Sequence, residues 1–197
     1  MRGVEQIPWL YDLSMALMPG LRRWRASLAR LARGRVLEVG CGTGRMLPLY
    51  PHETRVVGLE PNFAALPRAA RRDPGAGLVC GSVERLPFPA ASFDTVVSSL
   101  VFCSVGEAER GLAEIRRVLR PDGRLLMLEH VHARSRVGRW LLDRMQPGWT
   151  LITGGCRPNR DTEATVERCG FRIEQAHYRA RGVMRHFVAR KIPVRGV

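Results

Sequence analysis

Residues 36–44 read Val-Leu-Glu-Val-Gly-Cys-Gly-Thr-Gly, a short apolar run that ends in glycines at alternate positions, Gly40, Gly42 and Gly44. The apolar run predicts a buried strand. Glycine tolerates positive φ and has no Cβ, so the turn that follows can bring backbone close to a ligand. In an open α/β sheet, ligands bind beyond the carboxyl ends of the strands, and this loop would lie there.

The spacing narrows the ligand. A dinucleotide fingerprint requires Gly-x-Gly-x-x-Gly, which would place its third glycine at position 45, and that residue is Arg45. Glu38, still on the strand, would repel a pyrophosphate but suits a cation. S-adenosylmethionine carries a sulfonium and an ammonium group and no phosphate. The Glu-x-Gly-x-Gly-x-Gly string accordingly resembles motif I of the class I S-adenosylmethionine-dependent methyltransferases, which implies that Glu38, Gly40, Cys41, Gly42 and Gly44 contribute to a cofactor site.

Further segments carry the same resemblance. Glu60 follows Gly40 by twenty residues within Val-Val-Gly-Leu-Glu-Pro-Asn. A carboxylate there can accept both ribose hydroxyls, as the acid about 20 residues beyond a glycine turn does in dinucleotide folds. Pro61 and Asn62 complete the second motif. Ser82, Val83 and Glu84 occupy the stretch that recognises adenine, with Ser82 where the family often has an acid; the adenine contact then survives through the hydroxyl or passes to Glu84. Ser99 and Leu100, at the end of a run starting at Phe93, would line the methionine side. The nearest flavour is the ubiquinone/menaquinone-methyltransferase-like group, also called methyltransferase type 11. Residues 100–105, Glu129-His130-Val131 and the stretch from Trp149 to Thr162 are similar to the branch of methyltransferase-like thiol methyltransferases. That branch implies a thiol or other small lipophilic acceptor near a membrane.

Strands and helices alternate along the chain, which implies a mostly parallel sheet with both faces covered. Strands are expected at residues 35–39, 55–59, 77–80, 93–99 and 124–129, and helices at 63–71, 107–119 and 161–168. A helix is also expected to start at Arg45 and run to Tyr50. Segments 171–178 and 184–191 are joined too closely for a parallel crossover, so the last strand should run antiparallel. The expected fold is therefore α/β: a three-layer, Rossmann-like, seven-stranded and mostly parallel sheet with an antiparallel last strand, plus N-terminal helices. Residues 1–34 form the helical extension and residues 35–197 the cofactor-binding methyltransferase domain. In the extension, Leu10, Leu13 and Leu17 fall at helical spacing, and Leu21, Trp24, Leu28 and Leu31 mark one face of a second helix. Tyr11-Asp12 resembles a pair that related enzymes fold over the cofactor.

Methyl transfer from a sulfonium is an in-line displacement, and the protein mainly aligns the nucleophile and excludes water. A general base is needed only when the acceptor is protonated. His130, beyond the fifth strand, is the candidate acid/base group, with Glu129 and His132 as alternatives. The five cysteines include no C-x-x-C pair, and neither they nor the five histidines have metal-ligand spacing. No metal is expected, and the thiols are read as packing residues of a reduced protein.

The formal charge is +14, with six arginines and no acid over residues 13–37. Such a surface favours anionic partners. The helix at 21–31 either packs on the core or rests on an anionic bilayer through Trp24 and its arginines. Charge alone suggests an RNA methyltransferase, but aromatics do not interleave with the arginines as a stacking surface requires, so nucleic acid is not an expected partner. A non-catalytic protein that binds S-adenosylmethionine is the other alternative. Apolar runs fall short of the ~18 residues of a spanning helix, and no signal-peptide pattern opens the chain. The expectation is a cytoplasmic protein with peripheral membrane contact and a small-molecule methyl acceptor; oligomeric state is not written in the sequence.

Overall fold

A computed structural model describes residues 3–193. Seven strands form one sheet: β1 (Arg35–Val39), β2 (Arg55–Glu60), β3 (Gly77–Cys80), β4 (Phe93–Ser99), β5 (Leu119–His130), β6 (Phe171–Arg181) and β7 (Met184–Lys191). Their order is β3-β2-β1-β4-β5-β7-β6. The pairs from β3 through β5 are parallel, and β7 runs antiparallel to both β5 and β6, as the short 171–191 connection demands.

Alternate side chains explain the three layers. In β1, Leu37 joins one apolar cluster and Val36 the other. The same alternation separates Val96 from Val97 and Leu125 from Leu126. A strand buried on both faces reads as a continuous apolar run for this reason. One face is covered by α4 (Ala108–Val118), through Leu112 and Ile115, and by Val166 of α6 (Thr162–Arg168). The other face is covered by Leu28 and Ala29 of α2 (Pro19–Ala29), with Ala69 of α3 (Leu66–Arg72). Two further helices are α1 (Pro8–Ala16) and α5 (Arg136–Thr153); Pro8 and Tyr11 of the first and Gly154, which caps the second, lie by the carboxyl ends of β1, β2 and β4. No described helix is long and apolar enough to cross a membrane.

Three sequence expectations change. The glycine turn is followed by a 3₁₀ turn, Leu47–Leu49, in place of a helix from Arg45. Pro51 holds the preceding Tyr50 in extended backbone (φ −72°, ψ 148°), so no helix propagates. Strand β5 begins at Leu119, because Leu119 pairs with Phe93 before the Pro121-Asp122-Gly123 turn shifts the register. In α1, the leucine spacing is helical but Leu13 and Leu17 are exposed, and the helix buries no residue.

What docks α1 is Asp12. Its carboxylate accepts from the Thr43 hydroxyl (2.8 Å) and Arg45 (2.9 Å) and pairs with Arg72 (2.9 Å). Burial pushes its pKa up, but the Thr43, Arg45 and Arg72 contacts win and hold it below the ordinary value. Asp12→Ala is expected to cost about 1–2 kcal/mol in urea unfolding, since the network is partly buried. A folded pKa below the unfolded one means that this contribution is present above the unfolded value and vanishes as pH falls through the folded one. Limited proteolysis should then cut first in the released α1.

Candidate active site

The strand order reverses around β1, whose neighbours β2 and β4 carry their connections to opposite sides, and a crevice opens at that point. It is a cleft of about 800 Å³ lined by the glycine turn, the ends of β2 and β4, and residues of α1. Among the residues singled out from sequence, Tyr11, Gly40, Gly42, Glu60, Pro61, Asn62, Ser82, Val83, Glu84, Ser99 and Leu100 all line it. Glu38 and Cys41 flank a small gap beside it, together with Tyr11, Arg25 and Ser99.

The three glycines serve different ends. A Cβ on Gly44 (φ +79°) would come 2.7 Å from Ala69 Cα, so this glycine lets the loop pack on α3. A Cβ on Gly40 would meet the Val101 side chain at 2.5 Å. Only at Gly42 (φ +54°) is the space clear, with the Tyr11 ring 4.0 Å away. That clearance faces the cleft, leaving room for a ligand against the backbone.

Two carboxylates end adjacent strands. Glu60 accepts from the Gly42 N–H (2.9 Å) with Oε2 and from the Asn62 N–H (2.8 Å) with Oε1. Burial raises its pKa, and those two bonds oppose the rise. Asn62 in turn accepts from the Ala64 N–H, fixing the turn that follows β2. Glu38 is buried, and its Oε2 has no hydrogen-bond partner among the described residues. Burial pushes its pKa up to about 7. Tyr50 and Arg25 favour the ionised form; the Tyr50 hydroxyl stands close but outside hydrogen-bond geometry. An orphaned buried acceptor is costly unless something else supplies a donor.

Ser82 and Glu84 form a closed unit. The Ser82 hydroxyl donates to Glu84 Oε2 (2.8 Å) and accepts from the Glu84 N–H (3.2 Å), while Glu84 Oε1 accepts from the Glu107 N–H (2.8 Å). The Glu107 N–H and the Ser82 hydroxyl hold the Glu84 carboxyl below its ordinary pKa. With its proton committed, Ser82 can only accept toward the cleft. The Cys41 thiol is pushed far above its usual range by burial and then by Glu38 and Glu60, so it stays neutral.

Arg25 was not singled out from sequence. It is buried, donating from Nε to the Ser99 hydroxyl (3.2 Å) and from Nη2 to the Tyr11 hydroxyl (3.0 Å). The signal was present: Arg25 is four residues after Leu21 and three before Leu28, on the apolar stripe of α2. Thr43, Val101, Ser104 and Gly154 also line the cleft; they lie in loops, where periodicity says nothing.

The acid/base candidates lie elsewhere. Glu129 is fully buried, accepts from the Ser98 hydroxyl (2.6 Å) and receives the Val101 N–H at 3.1 Å. Burial raises its pKa to about 7. It holds the segment after β4, where Leu100 adopts φ +60°, and does not line the cleft. His130 also stands outside the cleft lining, near Cys156. His132 pairs with Asp143 of α5 at 3.2 Å. Among the described residues no group of three or more His, Cys, Asp or Glu could hold a metal ion.

Comparison with known proteins agrees with this architecture. Residues 37–127 match the methyltransferase domain family. The thiol S-methyltransferase TMT1A of Homo sapiens is 35% identical over 154 residues, covering 74% of this chain and 63% of that protein. The phosphatidylethanolamine N-methyltransferase of Cereibacter sphaeroides is 37% identical over 128 residues, covering 61% and 63%. The chain thus spans less than two thirds of the length of these relatives. A crystal structure of an S-adenosylmethionine-dependent methyltransferase from Thermotoga maritima superposes with a TM-score of 0.69 at 20% identity, covering 92% of this chain and 96% of that one; at that identity the likeness concerns the fold. Motif, sheet order and sequence match converge, and the chain belongs to the class I S-adenosylmethionine-dependent methyltransferases.

Proposed function

We propose that this chain moves a methyl group from S-adenosylmethionine to a small lipophilic acceptor: a thiol, a quinol or phenol, or a lipid amine. The observation that carries the reading is the unpartnered Glu38 carboxylate oxygen beside the gap between Tyr11, Gly40 and Ser99. A cationic amino-acid head supplies the donor that this oxygen lacks. When bound, S-adenosylmethionine supplies an electrophilic methyl on a positively charged sulfur. The chain's residues bind and orient. Glu38 faces the ammonium group, and Glu60 accepts the ribose hydroxyls with the lone pairs left by Gly42 and Asn62. Pro61 and Asn62 border the ribose. Ser82 accepts from the adenine amino group, with the Val83 and Glu84 backbone beside the ring. Ser99 and Leu100 bound the methionine arm, and Tyr11 covers it, held by Arg25.

The acceptor class is supported by what surrounds the cleft. Gln6, Pro8 and Tyr11 bring α1 to its rim, and Gly154 brings the end of α5. Both helices expose large apolar side chains, including Trp9 (58% exposed), Trp140 (63%) and Ile152 (63%). Large apolar side chains exposed together on two elements suit contact with a membrane or a lipid. The membrane-facing element is therefore α1 and α5 and not α2, whose Trp24 ring packs edge-on against His186. The names of the relatives, a thiol and a phospholipid methyltransferase, suit the same acceptor range.

Calorimetry with S-adenosylhomocysteine tests the donor, and transfer of labelled methyl to alkyl thiols, quinols and phosphatidylethanolamine tests the acceptor. Heat without transfer to any of them would leave a binding protein only. Trp140→Ser is expected to lower partition onto anionic vesicles about tenfold, the order of losing one buried aromatic. Unchanged flotation would remove α5 from the membrane contact.

A further inference from the structure

At the end of the sheet away from the cleft, three adjacent strands present arginine at one level. Arg124 of β5 stands directly opposite Arg190 of β7, and Arg190 directly opposite Arg172 of β6. Partners in register share a face, so the three side chains leave the same side of the sheet, about 5 Å apart from strand to strand. Thr95 of β4 continues the row beside Arg124. Its hydroxyl accepts from the Arg33 N–H (3.0 Å) and donates to the Arg33 carbonyl (2.8 Å). Arg33 and Arg172 are exposed, and Arg124 and Arg190 are half-buried. Arg35 and Arg55, also opposite each other, open β1 and β2 at the same end.

Carboxylates answer this charge incompletely. Glu174, two residues along β6 from Arg172, pairs with Arg190. Asp122, in the turn ahead of Arg124, accepts from the same guanidinium with its carbonyl at 3.1 Å. Asp94 is taken by Arg120 and by the Arg35 N–H. Like charges directly opposite each other weaken a sheet. Burial, then Arg33 and Arg190, push the Arg124 pKa down, with Glu174 opposing. The fold alone gains nothing from that repulsion, and a partner's negative charge would relieve it.

The row suits phosphates. A guanidinium is a planar fork that gives two parallel hydrogen bonds to phosphate oxygens. A protein partner would want an apolar, aromatic-rich centre. Among the described residues, the large apolar side chains that stand exposed lie mainly on α1 and α5, and Ile192, just past β7, is the one near the row. A bilayer that meets α1 and α5 at the cleft end leaves this end turned away. The lack of stacking aromatics argues against reading bases, but binding through phosphates is electrostatic and independent of sequence. We infer that the arginines of β5, β6 and β7 form a docking face for a nucleic-acid strand, gripped by its phosphates and blind to its bases. This face lies beyond the methyl-transfer reading and does not depend on it.

Fluorescence anisotropy of the whole protein with a labelled, mixed-sequence single-stranded RNA, repeated over a range of salt, tests it. Three neutralised phosphates give log K against log salt a slope of about −2, a loss of roughly 15- to 20-fold between about 50 and 200 mM salt. Arg124→Gln combined with Arg172→Gln removes two contacts, so the slope should become shallower by about 1.4. Arg190 stays in place because it holds Glu174. The midpoint of urea unfolding should rise in the same variant, because two repulsions across strand pairs are relieved. Arg22→Gln combined with Arg23→Gln takes the same charge from exposed positions on α2 and should leave the slope unchanged. Absence of RNA binding at low salt, an equal change of slope in both double variants, or a row variant that loses anionic vesicles and keeps RNA would each overturn the inference. Calorimetry with S-adenosylhomocysteine reports separately on the cofactor site at the other end of the sheet, and the row variant should match wild type there.

Discussion

Glu60→Ala is expected to weaken S-adenosylhomocysteine binding by about 10- to 150-fold, the range that corresponds to losing a charge-assisted hydrogen bond of roughly 1.5–3 kcal/mol. On the proposed reading the carboxylate has two duties that add. It accepts from the Gly42 and Asn62 N–H groups, so it shapes the glycine turn before any ligand arrives. Its remaining lone pairs are the ones proposed above to accept the ribose hydroxyls. Alanine removes both and leaves two backbone donors to water in the opened cleft. Glu60→Gln separates the duties: its amide oxygen can replace one acceptor, while its NH₂ opposes the Gly42 or the Asn62 N–H. Isothermal titration of the three proteins gives the ordering wild type, Gln, Ala from tightest to weakest. Equal affinities in all three would place the ribose elsewhere.

Much of this site was legible because its chemistry is local. The turn at 40–44 needs glycine for reasons internal to a few residues, and Glu60 is positioned by the end of the strand it belongs to. The sheet was legible for the same reason: β1, β4 and β5 are covered on both faces, and their apolar runs announce it. Contacts between distant segments were not. Arg25 reads as one more arginine on a basic helix until α2 is laid on the sheet and the side chain reaches Ser99, 74 residues away. His130 looks like a base at the carboxyl end of a strand, but it stands outside the cleft lining, near Cys156 at the end of α5. The helix expected after the glycine turn failed on Pro48 and Pro51, whose effect on Tyr50 outweighs an apolar pattern over so few residues. Asp12 was noticed for its resemblance to a pair and not for the Thr43–Arg45–Arg72 network, which only the folded chain assembles.

The second large effect concerns Glu38 and has a pH signature. Its pKa in the unliganded protein is raised from the ordinary 4.5 to about 7, mainly by burial. A cationic ligand requires the carboxylate, so part of the binding energy at lower pH is spent removing a proton. Affinity for S-adenosylhomocysteine should therefore fall as pH drops below 7, approaching about tenfold per unit. In Glu38→Gln this contribution is absent: binding at pH 8 is about 10- to 150-fold weaker than wild type, and the part of the pH slope due to Glu38 is gone. Stability runs the opposite way. Because the folded pKa lies above the unfolded one, the native state holds the extra proton between the two values, and the unliganded fold loses stability as pH rises through that window. Glu129 is raised to about 7 in the same manner and contributes its own share, so the unfolding free energy of Glu38→Gln should decline less steeply from pH 5 to 7 than that of wild type, without becoming flat. Tyr11 and Ser99 keep Arg25 hydrogen-bonded in the variant, which is why Gln is the substitution of choice. The two readouts are coupled by one proton: a variant that lost affinity yet kept the wild-type pH dependence of both binding and unfolding would show that Glu38 does not meet the ligand's charge.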